Sequence, residues 1–234
     1  MKKRIWELDA LRGLCILGMV GIHLIYDLSC LRGWQPGKLF LFCKQWGGVL
    51  FFLLSGVCAT LGRHPIRRGL SVLGCGMLCT VATWAVWMLG FAGPGIVIYF
   101  GTLHCLGTCM LLWPLLRRLP PALLFPAALL LTAVGIGLLR QPVPGSVWLI
   151  PLGFLPPDLV TSDFFPLLPF LGIFLLGACL GSRLYAGGVS LLSFPDSRSV
   201  RFLCLCGRKA LPVYLLHQPV LTVILFLIAD FIPV

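Results

Sequence analysis

The sequence predicts an all-α fold, a polytopic transmembrane helix bundle of about seven spans. Three observations predict it. The chain of 234 residues is 59% hydrophobic and only 11% charged, with a mean hydropathy of +1.02. Apolar runs of spanning length recur from one end to the other, and no polar stretch between them is long enough for a soluble domain. Of the 18 Lys and Arg residues, all but Arg12 and Arg183 sit in short segments before or between those runs. A soluble domain of this size has no interior large enough for so much apolar surface. The formal charge of +11 would point to nucleic acid in a soluble protein, but here it reads as topology, so no nucleic-acid partner is expected. One integral-membrane domain over residues 1–234 is expected, lying in a lipid bilayer.

A spanning helix needs about 20 apolar residues. The first candidate covers 10–28. Met1-Lys2-Lys3-Arg4 ahead of it imitates a signal peptide, yet no small-residue cleavage site follows and Asp9 and Arg12 interrupt the entry, so a retained span is expected. The others are 46–62, 69–91, 96–116, 121–139, 165–183 and 210–231. Between the fifth and sixth of these seven lies SVWLIPLGFLPP (146–157), apolar but short and broken by prolines. It reads as a re-entrant or interfacial segment, or as a short eighth span.

Charge placement chooses between these. With the N-terminus inside, only Arg32, Lys38, Lys44 and Arg140 fall outside, and the other basic residues fall inside. An eighth span at 146–157 would move Arg183 to Lys209 outside and spoil that bias, so a non-spanning segment is preferred. The expected placement is multi-pass in the cell membrane (inner or plasma membrane), N-terminus cytoplasmic.

Gly177-x-x-x-Gly181 and Gly74-x-Gly76 read as close-packing sites, since small residues let membrane helices approach. The 11 cysteines read mostly as small apolar packing residues, because none falls at paired zinc spacing. Cys30 and Cys43 share one loop, and whether they pair is left open.

The polar residues within the spans carry the functional signal, because ionisable groups in lipid are costly and mark sites. In LDALRGLCILGMVGIHLIYDL, Arg12 and His23 are eleven residues apart, about three helical turns, and so share a face about 16 Å apart along the axis. Asp27 is one turn beyond His23 on that face. Asp9 is expected to cap the helix. Measured from the basic residue ending each helix, His23, His104 and His217 lie about 16, 20 and 12 Å into the membrane. Similar depth on three spans reads as one buried site, although each histidine alone also fits packing. A metal site is disfavoured because no HxxxH or HExxH pair occurs. His64 lies in GRHPIRRG with Arg63, Arg67 and Arg68, which reads either as a positive-inside anchor or as a phosphate clamp. Asp163 enters the sixth span, either as a cap or facing a substrate.

These residues resemble a known family. LDALRGLCILGMVGIHLIYDL is similar to the opening span of the heparan-α-glucosaminide N-acetyltransferase catalytic-domain-like family of bacterial membrane proteins, related to the integral-membrane acyltransferase-3 superfamily. Arg12 and His23 match that superfamily's Arg, ten residues, His signature. VLFFLLSGVCATL, YFGTLHCLG with His104, DFFPLLPFLGIFLLGACLG and LPVYLLHQPVL with His217 resemble further family segments, from about residue 4 to 225. The resemblance implies transmembrane acyl transfer: an acyl group, usually acetyl, passes from cytoplasmic acyl-CoA to a hydroxyl or amine of a sugar or glycan on the far side.

The residues can carry such a reaction. Arg12, Arg63, Arg67 and Arg68 are the candidates to hold the phosphates of acetyl-CoA. His23 is the candidate general base, with Asp27 orienting it. His104 and His217 are assigned as donors to the thioester oxygen or the sugar, and Asp163 and Tyr214 as acceptor-site residues. An acetyl-histidine intermediate is left open, as are the acceptor and oligomeric state. The rival class is a proton-coupled transporter of a small solute or lipid-linked substrate, against which the lack of an internal repeat counts.

Overall fold

The computed structural model describes residues 4–33, 35–140 and 145–228. Lys2, Lys3 and the 229–231 end of the last candidate span lie outside the described residues. The helices are α1 (Trp6–Arg32), α2 (Lys38–Leu61), α3 (Pro65–Met88), α4 (Thr102–Leu116), α5 (Pro121–Arg140), α6 (Leu167–Leu184), α7 (Arg198–Arg208) and α8 (Ala210–Ile228). Six of them, all but α4 and α7, are long and apolar enough to cross a membrane. With the shorter apolar α4 they give the bundle of about seven spans that the sequence predicts, and no β-strand occurs among the described residues. Residues 147–152 form a 3₁₀ turn of six residues, about 12 Å long and far short of a span.

The chain folds as two compact units, residues 1–51 with 187–234, and residues 52–186. In the first unit α1 begins after extended Ile5, carries Glu7 and Asp9 in its first turn, and stops at Gly33 in the left-handed region (φ 65°). Its 27 residues make a rod of about 40 Å. Asp9 does not cap it. The helix starts three residues earlier than Asp9, so the carboxylate points off the helix side and meets arginines instead. Arg12 Nη1 lies 3.3 Å away, and Arg4 and Arg208 each 3.6 Å.

α7 was not visible as a helix in the hydropathy pattern, since its sequence, RSVRFLCLCGR, is only half apolar. Ser197 starts it by accepting from the Val200 N–H at 3.2 Å. It crosses α1 at backbone contact. A Cβ on Gly207 would sit 1.8 Å from the Asp9 carbonyl oxygen, and one on Gly13 2.0 Å from that of Leu203. Glycine is the only residue that admits this approach.

In the second unit α3 pairs with α4 and α5 with α6, around a core of Phe52, Phe174, Cys105, Cys109, Ala128 and Ala178. Gly177 packs on Leu53 and Gly181 on Val57, while Gly74 meets nothing within 4 Å. The fourth candidate span is only partly helical. Residues 97–101 run unwound into α4, and Val97 and Phe100 are buried there. Backbone inside a membrane must have its polar groups satisfied by protein. Here side chains do it: Thr80 donates to the Ile98 carbonyl (2.6 Å), Thr83 accepts from the Ile98 N–H (3.2 Å), and Thr161 and Ser162 donate to the carbonyls of Val97 and Ile96 (2.7 Å each).

Candidate functional site

Three features carry the candidate chemistry, and each is built inside one unit.

The first lies between α1 and α8. His23 and His217 meet with ring centroids 4.8 Å apart, tilted by 58°. The Tyr214 ring stands edge-on to His217 at 5.5 Å. His217 Nδ1 is 2.5 Å from the Tyr214 carbonyl oxygen. A carbonyl only accepts, so the proton of the neutral ring sits on Nδ1 and the lone pair on Nε2. That Nε2 is buried and has no hydrogen-bond partner. Gln218, which the sequence reading passed over, donates from Nε2 to Asp27 Oδ2 at 3.0 Å, and its own Oε1 is buried and unpartnered. Asp27 therefore holds the amide of α8. Helical spacing explains the pairing: His23 and Asp27 are one turn apart on α1, and consecutive His217 and Gln218 both reach that face. A glutamine inside an apolar span was the signal that could have found it.

The second surrounds the start of α4. His104 Nδ1 accepts from the Gly101 N–H at 3.3 Å, and its Nε2 lies 3.1 Å from Thr80 Oγ1. The Thr80 hydroxyl proton is already committed to Ile98, so the His104 ring donates to Thr80 from Nε2. Both ring nitrogens are thus engaged in holding the unwound chain. Asp163 caps α4 from a distance: Oδ2 accepts from the Thr102 N–H at 2.9 Å and Oδ1 from its hydroxyl at 3.3 Å. The cap falls on α4 rather than on the helix that Asp163 precedes.

The third is an open cleft of about 620 Å³ at the α2–α3 turn and the end of α4. Arg63, His64, Arg67 and Arg117 line it, with Ile66, Leu70 and Pro114 as apolar wall. Its size falls in the usual range for a small-molecule site. The first turn of α3 opens on it, adding N-terminal dipole to the guanidinium charge. Of the four predicted phosphate-binding arginines the structure brings Arg63 and Arg67 together here and adds Arg117. Arg68 lies over Gly62 instead, and Arg12 is engaged by Asp9 and by the Gly207 carbonyl at 3.5 Å.

Cys30 and Cys43 are exposed and unbridged. Among the described residues no three His, Cys, Asp or Glu side chains converge as a metal site needs.

The fold and these features define a class, a polytopic membrane protein with a histidine pair built into its spans and a cationic cleft at a helix end. Residues 4–219 match the family model for heparan-alpha-glucosaminide N-acetyltransferase, catalytic, and the chain belongs to that family. A transmembrane acetyltransferase-like function follows from that membership. No curated protein and no solved structure matches the chain.

Proposed function

We propose that the protein transfers an acetyl group from cytoplasmic acetyl-CoA to a hydroxyl or amine of a sugar on the extracytoplasmic side, with its N-terminus in the cytoplasm. The observation that carries this reading, beside the family match, is the buried unpartnered Nε2 of His217 against His23. Acyl transfer to a hydroxyl or amine needs a base for the acceptor's proton, and an imidazole with a fixed lone pair supplies one. The base role moves from His23 to His217, because only His217 has a tautomer fixed by a backbone carbonyl. His23 packs its ring against that of His217 and walls the base on one side. Gln218, held by Asp27, offers its unpartnered carbonyl oxygen to the acceptor's N–H or O–H, and the Tyr214 ring stands beside His217.

The cationic cleft takes the nucleotide end of the donor. Three guanidiniums from Arg63, Arg67 and Arg117 suit phosphates, and the apolar wall suits the adenine or the start of the pantetheine arm. His104 and Asp163 are positioning residues, which hold the unwound segment before α4. The roles of the two units are assigned separately and are tested separately.

The experiment is thiol release from acetyl-CoA by the purified protein, with a panel of amino sugars as acceptors. Arg67→Gln removes one charge-assisted contact worth about 1.5–3 kcal/mol, or roughly 10- to 150-fold in affinity. It should weaken acetyl-CoA and leave acetyl-pantetheine, which lacks the nucleotide, unchanged. Equal loss for both donors would remove the cleft from the donor site. Absence of thiol release by folded protein with every acceptor would remove the transfer reaction itself.

A further inference from the structure

α7 has two faces, and the function proposed above uses neither. At 100° per residue, Leu203, Cys204 and Gly207 share one side. That side is closed against α1: Gly207 and Gly13 sit at backbone contact, and the Cys204 thiol donates to the Trp6 carbonyl at 3.5 Å. The segment leading into α7 is fastened to α1 as well. Glu7 accepts from the Leu191 N–H at 2.7 Å, and Trp6 donates to the Leu192 carbonyl at 3.1 Å and packs edge-on against Phe194. The helix is held in one orientation.

The opposite side is exposed and of mixed character. Phe202 and Leu205 stand 55% and 53% exposed, three residues apart, among Arg198, Arg201 and Lys209. α7 contains no acidic residue. Asp196, just before it, pairs with Arg201, and Arg208 is shared with Asp9. No ion pair joins Arg198 or Lys209 among the described residues.

The position of this face is set by its neighbours. α7 ends one residue before the spanning helix α8, and it crosses the first two turns of α1. α1, about 40 Å long, exceeds a hydrocarbon core of about 30 Å, so one or both of its ends project into the headgroup layer. An exposed apolar pair ringed by cations, at the point where a span meets the membrane surface, is the pattern of a helix lying in the interface.

We propose that the outer face of α7 binds the membrane surface and selects anionic phospholipid. Phe202 and Leu205 enter the acyl boundary, and Arg198, Arg201 and Lys209 meet the headgroup phosphates. Charge complementarity chooses lipid over a protein partner: two apolar side chains are too narrow for a protein groove, while surplus positive charge beside a bilayer is drawn to anionic headgroups.

The test uses the full chain, purified in detergent and loaded with equal phosphatidylglycerol and phosphatidylcholine, with retained lipid counted by native mass spectrometry. Wild type should retain phosphatidylglycerol preferentially. Each basic residue near an anionic surface is worth about fivefold in binding, so Arg198→Gln should cut the preference about fivefold and Arg198→Gln/Lys209→Gln by roughly that factor again. Arg118→Gln, a cation on another part of the chain, should leave it unchanged. Should the α7 variants not fold, salt on wild type decides: the preference should vanish at about 1 M, where the Debye length is about 3 Å. A preference that survives the double substitution or high salt overturns the proposal. So does a melting temperature raised as much by inorganic phosphate as by phosphatidylglycerol, which would make this a free-anion site.

Discussion

Replacing His217 by asparagine isolates one nitrogen. The asparagine Nδ2 occupies the place of the imidazole Nδ1, so the bond to the Tyr214 carbonyl, 2.5 Å in the native protein, can persist. No atom then stands where Nε2 was, the ring nitrogen that is buried without a partner. Loss of a positioned general base typically costs about 10²- to 10⁴-fold in rate, which is about 3–5.5 kcal/mol of transition-state stabilisation. The cost to folding is smaller. The ring leaves two neighbours, His23 at 4.8 Å and Tyr214 at 5.5 Å, and aromatic pairs of this kind contribute about 0.5–1.5 kcal/mol each. Rate and stability therefore separate. The assay is thiol release from acetyl-CoA under saturating acceptor, beside a thermal melt of the same preparation. His217→Gln should be as inactive as His217→Asn, since an amide near the Nε2 position is no base. A His217→Asn protein that retains more than about a tenth of wild-type kcat/KM, at an unchanged melting temperature, would refute the role of Nε2 as base.

Three further outcomes follow from the same structure. Gly207→Ala would place a Cβ 1.8 Å from the Asp9 carbonyl oxygen, so α7 must shift by more than about 1 Å; overpacking of this kind costs about 1–3 kcal/mol, whereas Gly18→Ala in α1, with nothing within 4 Å, should be neutral or stabilising in a thermal melt. His104→Ala should lower the melting temperature and expose amides 97–102 to hydrogen exchange, because it leaves the Gly101 N–H and Thr80 hydroxyl without their ring partner; unchanged exchange would deny the ring its holding role. Burial, and then the Asp9 carboxylate, push the Cys204 thiol up despite opposition from Arg208, so Cys204 should resist maleimide at neutral pH while exposed Cys30 and Cys43 react; applied to intact cells, an impermeant maleimide that fails to reach Cys30 and Cys43 would reverse the proposed orientation.

Helices long enough to cross a membrane announce themselves by apolar length alone: five of the six begin and end within about four residues of the expected spans, while α2 starts eight residues earlier than expected. What hydropathy cannot show is where a helix is absent inside an apolar run. Residues 97–101 are as apolar as a span, but they run unwound because Thr80, Thr83, Thr161, Ser162 and Asp163 supply, between Ile96 and Thr102, the hydrogen bonds that a helix would have made for itself. Those partners lie 15 to 66 residues away, so no local window contains them. α7 was hidden for the opposite reason. Its apolar residues serve a glycine contact and an exposed pair, and their average is unremarkable. Of the predicted site residues, His23, Asp27, Tyr214 and His217 gather between α1 and α8, because regular helical spacing governs both elements. The arginine assignments depended on which way each side chain turns off a loop, which sequence does not encode locally. Arg117 joins Arg63 and Arg67 at the cleft from a helix end far along the chain, and Arg12 turns to Asp9.

His104 and His217 show why depth alone does not identify a catalytic histidine. On the sequence they stand alike, each inside a family-like segment and each about 12 to 20 Å from a cationic helix end. Their hydrogen bonds separate them. His104 accepts a backbone N–H on one nitrogen and donates to a threonine hydroxyl with the other, so protonating its ring would break the bond from Gly101 and with it the start of α4. His217 spends one nitrogen on a carbonyl, and that bond is kept whether the ring is neutral or protonated, because Nδ1 carries a proton in both states. A group that must take up a proton and return it within one turnover needs a mooring indifferent to its charge. His217 has such a mooring and His104 does not, so the proton in the proposed transfer belongs to His217, while the histidine of α4 keeps an unwound chain in place.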